Sequence, residues 1–226
     1  MVISLSADEC RSRFDGYITA NSIRTRELKV TVLVKNHKEV EKQVHLVRTA
    51  AERTAHAMRM LLANEPEGLQ VLKFIKFKDI GHHPVEESKQ NILEQANLTF
   101  SYLAKFEAAR WLFTKHSELL EKGLELNLTS TTGFDIESVE PDLMAAEVFS
   151  LSHPKMNNKL GQDLRHLSQS AAGVRHRYVF FSSPEFAYGR HQELEGNSGI
   201  EVWSFPPELL LKTAPERTGL QQKSRP

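Results

Sequence analysis

The sequence predicts an α/β fold in which a central mixed β-sheet is flanked by helices, and three observations predict it. Two long stretches carry apolar residues at three- and four-residue steps, the period of an amphipathic helix. Between Leu124 and Leu151 the period falls to two, in short runs separated by the turn-forming strings TTG and EPD. A further helical pattern then precedes RHRYVFFSS, whose nearly continuous apolar centre is typical of a strand buried on both faces. The order helix, three strands, helix, strand and a last strand is that of a sheet covered by helices.

Each element has its own signal. The first thirty residues are mixed, and KVTVLVK, from Lys29 to Lys35, alternates charged and β-branched residues as a short strand does. From about Lys38 to Asn64, Val40, Val44, Val47, Ala50, Ala51, Ala55, Met58, Leu61 and Leu62 form the apolar face of a long helix, which the string NEPEG ends. LQVLKFIKFKDIG, from Leu69 to Gly81, interleaves apolar residues with Lys73, Lys76 and Lys78. Aromatics among lysines suit a nucleic-acid backbone, but an element with a buried face and solvated lysines is the favoured reading. Glu86 to Lys115 reads as the strongest helix, with Ile92, Ala96, Phe100, Leu103, Phe106 or Glu107, and Arg110 on one face and Glu86 and Glu87 at its positive end. LELNLTST, FDIES and DLMAAEVFSL then form a three-stranded meander. SHPKMNN links it to the helix KLGQDLRHLSQSA, followed by the strands RHRYVFFSS and GIEVWSF, and the polar stretch from Lys212 to Pro226 is expected to be mobile. These divisions give a mainly helical N-terminal extension over 1–85, an α/β core over 86–211 and a tail over 212–226.

Composition excludes several classes. Lys and Arg together number 29, as do Asp and Glu, so a nucleic-acid surface has to come from local clustering and not from bulk charge. Cys10 stands alone and cannot form an internal disulfide, and neither a secretory leader nor a run of about 20 apolar residues is present, so a soluble, cytoplasmic protein is expected. There is no G-x-S-x-G, no phosphate-binding glycine loop, and no H-x-x-x-H or C-x-x-C spacing. His82, His83, His153, His166, His176 and His191 are accordingly expected to be partly exposed polar residues and not a structural zinc site.

The chemistry-bearing feature is an acid inside a strand. LMAAEVF places Glu147 on one face with Leu143, Ala145, Phe149 and Leu151, among apolar neighbours, where a charge needs a partner. A hairpin with its tip near Pro141 and Asp142 sets Asp135 and Glu147 about equally far from the turn, so the two side chains meet across the pair. Two carboxylates at that separation repel unless a proton or a cation is shared. Mg2+ suits such a site, taking one or two carboxylates with a carbonyl, water and a substrate phosphate oxygen.

A helix bearing a glutamate, a strand, GFDI on a second strand, AEVF on a third and a following helix together resemble the nuclease core of the PD-(D/E)XK superfamily, which includes restriction endonucleases and Holliday-junction resolvases. The resemblance covers roughly Glu86 to Ser183. It implies a restriction endonuclease-like core and Mg2+- or Mn2+-dependent hydrolysis of DNA, with Asp135, Glu147 and the carbonyl of Val148 on the metal. The literal Pro141-Asp142 is assigned to the turn. Phe149 stands where the family has a lysine that helps activate water, and Lys159, at the start of the next helix, is the candidate substitute; Lys155 in the linker is poorer. Lys159 and Asp163 are equally readable as an i,i+4 pair on a solvated face. Glu107 is the candidate helix acid, with Glu94 the other choice, and Gln162 is a lesser candidate for a phosphate contact. Two functions follow: a DNA endonuclease of restriction or defence type, expected to act as a homodimer because cutting two strands needs two sites, or a catalytically inactive relative that binds DNA or protein, which Phe149 favours.

Overall fold

The computed structural model describes residues 30–64, 67–86, 88–129 and 133–212. The mixed first residues, Glu87 and the expected mobile tail beyond Lys212 lie outside the described residues.

The chain folds as expected into α/β layers around a seven-stranded mixed sheet of order β1-β4-β5-β6-β7-β9-β8. Strand β1 (Thr31–Val34) precedes helices α1 (His37–Asn64) and α2 (Gly68–Phe77). A small hairpin, β2 (Gly81–His82) and β3 (Lys89–Gln90), leads into helix α3 (Ile92–Lys115), a single turn α4 (Leu119–Lys122), and the meander β4 (Leu124–Asn127), β5 (Ile136–Ser138) and β6 (Met144–Ser150). A 3-10 turn (Met156–Asn158) enters helix α5 (Lys159–Ser170), after which come β7 (His176–Ser182), β8 (Gly189–Arg190), α6 (Gln192–Glu195), β9 (Glu201–Phe205) and α7 (Pro207–Leu211).

Strands β1, β4, β5 and β6 pair antiparallel, whereas β6, β7 and β9 run parallel, β6 and β7 being joined through α5 as a parallel crossover requires. Covered on both sides, β6 and β7 need apolar residues on both faces, which is why MAAEVF and YVFFS read as near-continuous runs. Met144, Ala146, Val148, Tyr178 and Phe180 face one core with α1 and α3, and Ala145, Phe149, Val179 and Phe181 face a second core with Leu160, Leu167 and Ala171 of α5 and its C-cap.

Three local expectations are corrected. Helix α3 starts at Ile92, not Glu86: Glu86 sits in the turn of the β2–β3 hairpin, and Asn91 caps the helix by accepting from the Glu94 N–H. The helix lies between the sheet and α1, so from Tyr102 to Phe113 nearly every side chain is buried, and the stripe runs through Gln95 and Thr99 while Ala96 is exposed. The lysine-rich segment is helix α2, and its inner face is only half-buried, through Val71, Phe74 and Ile75, while Leu69, Leu72 and Phe77 are exposed and Lys76 and Lys78 lie over the rings of Phe77 and Phe74.

Residues 30–85 are not set apart from the rest of the fold. Strand β1 pairs with β4 along its whole length, and Val34, Val40, Val44 and Val47 enter the same core as Leu103, Phe106 and Leu126. The 85/86 boundary falls inside the β2–β3 hairpin. Close passage at this seam explains Gly123, whose φ of 101° is disfavoured for side-chain-bearing residues and where an added Cβ would stand 2.6 Å from the Val34 carbonyl oxygen.

Candidate functional site

The register of the β5–β6 hairpin pairs Ile136 with Ala146, so one further step sets Asp135 opposite Glu147. The turn between them holds Pro141 and Asp142, and Asp142 takes the left-handed conformation. Regular pairing stops at Ile136. The Val148 N–H, beyond the reach of β5, instead donates to Asp135 Oδ2 at 2.8 Å. The Glu147 carboxyl, 6% exposed, stands close enough to Asp135 for the charge of one to act on the other. Burial first, and then the charge of Asp135, raise the Glu147 pKa to about 9, so at neutral pH Glu147 holds a proton.

Helix α5 adds three polar groups. Lys159, Asp163 and His166 recur at four and three residues, which places them on one helical stripe beside the buried Leu160 and Leu167. His166 Nδ1 lies 2.6 Å from Glu147 Oε1, with the imidazole against the Phe134 ring. Lys159 Nζ donates to Asp163 Oδ1 at 2.6 Å, and the charges of Asp135 and Glu147 also act on it. Asp163 is 4% exposed, and its Oδ2 has no hydrogen-bond partner among the described residues; burial, and more weakly the charge of Asp135, raise its pKa against the opposing pull of Lys159. Phe149 is packed against Phe181 in the second core, while Lys159 Nζ stands 5.9 Å from the Phe149 ring centre. An amine therefore approaches the site from α5 where the strand itself offers only a ring.

The fourth contributor comes from α3 and differs from the one expected. Lys105, buried, reaches past the end of β4 to the Asn127 carbonyl at 2.6 Å and to Asp135 Oδ1 at 2.7 Å. Glu107 is two residues further along the helix, a rotation of about 200°, and it is not brought to this cluster. Its carboxylate meets Arg110 at 2.5 Å, and Arg110 also holds Glu41 of α1; burial pushes the Glu107 pKa up to about 7 against the Arg110 charge.

The remaining sequence candidates have other occupations. Glu94 lies at the first turn of α3, Gln162 donates to the Asn157 carbonyl, and Lys155 is exposed before the 3-10 turn. Sequence reasoning thus brought Asp135, Glu147, Val148 and Lys159 together but missed Lys105 and the role of His166. Both had a signal: Lys105 interrupts the apolar string YLAKF, and His166 shares the helical stripe of Lys159. A second polar cluster, His116, Glu118 and His176, brings ligand atoms within 4.8 Å of one another, and the spacing rules pass over it because its members come from separate elements.

No model of a known protein family matches the chain, and no curated protein or solved structure matches it either. Among the described residues no helix is long and apolar enough to cross a membrane.

Proposed function

We propose that the chain is a Mg2+- or Mn2+-dependent DNA endonuclease of restriction or defence type, with a PD-(D/E)XK-like core and a homodimeric active form. The observation that carries this reading is the buried Glu147 set opposite Asp135 where the β5–β6 pairing ends, with the Lys159 amine nearby. The donor set fits a hard divalent cation on two counts. Glu147 is kept protonated by burial and by Asp135, a strain that a cation relieves, and Asp163 Oδ2, near the pair, is a buried acceptor without a partner among the described residues. Asp135, Glu147 and the Val148 carbonyl would hold the ion; an extended residue directs its C=O and N–H to the same edge, and the Val148 N–H already faces Asp135. When bound, the ion supplies charge stabilisation for a phosphodiester under attack.

The protein groups divide the remaining work. Lys159, steadied by Asp163, presents an ammonium to an attacking water or to a phosphate oxygen, the part played on the strand by the family's lysine. His166 orients Glu147 through Nδ1, with its ring partly open to solvent. Lys105 fixes the Asp135 carboxylate from behind. Cutting both strands of a duplex calls for two such sites, hence the homodimer.

One observation favours a second reading. The Lys105 ammonium already neutralises Asp135, as a fixed cation does in a site that has given up its metal, which suits a catalytically inactive module binding DNA or protein. Titration with Mn2+ and incubation with plasmid DNA plus Mg2+ separate the two. The nuclease reading expects Mn2+ binding that is lost in Asp135→Asn, and cleavage lowered about 100-fold or more in Glu147→Gln. A wild-type protein that binds no Mn2+, with binding appearing in Lys105→Met, sinks it in favour of the inactive module.

A further inference from the structure

We infer that His116, Glu118 and His176 form a second, chemically different metal site, one for a borderline first-row divalent ion such as Zn2+ or Co2+. Its ligand atoms lie within 4.8 Å of one another. His116 Nδ1 and Glu118 Oε1 are 3.3 Å apart, the separation of two ligands at about 2.0–2.1 Å from a tetrahedral ion. The His116 and His176 rings approach to 4.4 Å between centres. Two imidazoles with one carboxylate select Zn2+ or its neighbours over Mg2+.

The surroundings are those of a held ligand. His116 is buried, and its Nε2 is 2.7 Å from the hydroxyl of Tyr178, a fully buried residue. That contact fixes the ring and leaves Nδ1 directed at Glu118, as outer hydrogen bonds do around metal-bound histidines. His116 is also the C-cap of the 24-residue α3, where the helix end favours positive charge. The nearby Lys115 ammonium is directed away, onto Glu201 at 2.8 Å. Glu118 is exposed, so a fourth position is open to water or to a small ligand.

This site does not depend on the endonuclease reading. Along β7, His176 and Tyr178 face α3, whereas Val179, the partner of Glu147 in the sheet, faces α5. The two clusters thus use opposite faces.

Full-length protein stripped with a chelator and titrated with Co2+ tests the inference, using the visible absorption of the ion as readout. The expected result is one equivalent bound with the intense bands of a four-coordinate ion, affinity lowered at least about tenfold in His176→Gln and in Glu118→Gln, and an unchanged spectrum in Glu147→Gln. His176 and Glu118 are chosen because neither is fully buried, and far-UV circular dichroism verifies folding. A spectrum with only the weak bands of a six-coordinate ion, or intense bands unaltered in folded His176→Gln, overturns it. A spectrum lost in Glu147→Gln but kept in His176→Gln would assign the ion to the other site and equally refute this one.

Discussion

At the scale of single residues, the proton on Glu147 has a thermodynamic signature. Its pKa is raised from 4.5 to about 9 on folding, so between those values the native state holds a proton that the unfolded chain releases. Stability therefore falls as pH rises across that window, by up to about 1.4 kcal/mol per pH unit. Glu107 adds a loss of the same sign, concentrated below its raised value of about 7, and the lowered histidines His37, His83 and His176 act in the opposite sense near and below 6.5. From pH 7 to 9 the Glu147 loss continues after most of the Glu107 loss is complete. Urea midpoints should drop between those two pH values in the wild type and drop clearly less in Glu147→Gln; a wild-type midpoint that rises refutes the proton on Glu147. Saturating Mg2+ should level the wild-type slope as well. Much of this site was legible: the acid in an apolar run demanded a partner, and hairpin arithmetic named Asp135. Glu107 was misplaced because spacing along a helix does not fix which face meets the strands, and there the structure uses Lys105.

At the scale of elements, helix and strand periods located nearly every long segment, since each buries a face that its repeat announces. The failures were at ends and in short pieces. Two adjacent glutamates at the predicted start of α3 imitate a first turn, but the cap belongs to Asn91, whose side chain meets the Glu94 N–H at 2.9 Å. Replacing Asn91 with Ala should lower stability by about 1 kcal/mol, whereas Glu86→Ala, in the hairpin turn, should change it by less than about 0.5 kcal/mol. Equal losses in denaturant titrations would return the start of the helix to Glu86. The two-residue strands β2, β3 and β8 were missed because pairs so short carry no period, and the inner face of α2 is covered only in part.

At the scale of the molecule, the supposed N-terminal extension is part of the main core. The sequence shows a strand and a helix there but not their partner, because pairing of β1 with β4 is a contact across more than ninety residues (31 against 127). Val34, Val40, Val44 and Val47 together contribute about 6 kcal/mol or more, comparable with a typical domain's whole stability of about 5–15 kcal/mol. A chain begun at Glu86 should therefore show no cooperative thermal transition by circular dichroism, and a sharp melt would establish that the later residues fold unaided. The mounting of Lys159, Asp163 and His166 on one helix has a consequence of its own. Those groups leave or return as a set whenever α5 lifts from its seat on Leu160 and Leu167, an excursion that needs far less free energy than dismantling the strands. The polar cluster is then complete in only a subset of folded molecules, and substitutions buried under α5 can disperse it while the β scaffold stays whole.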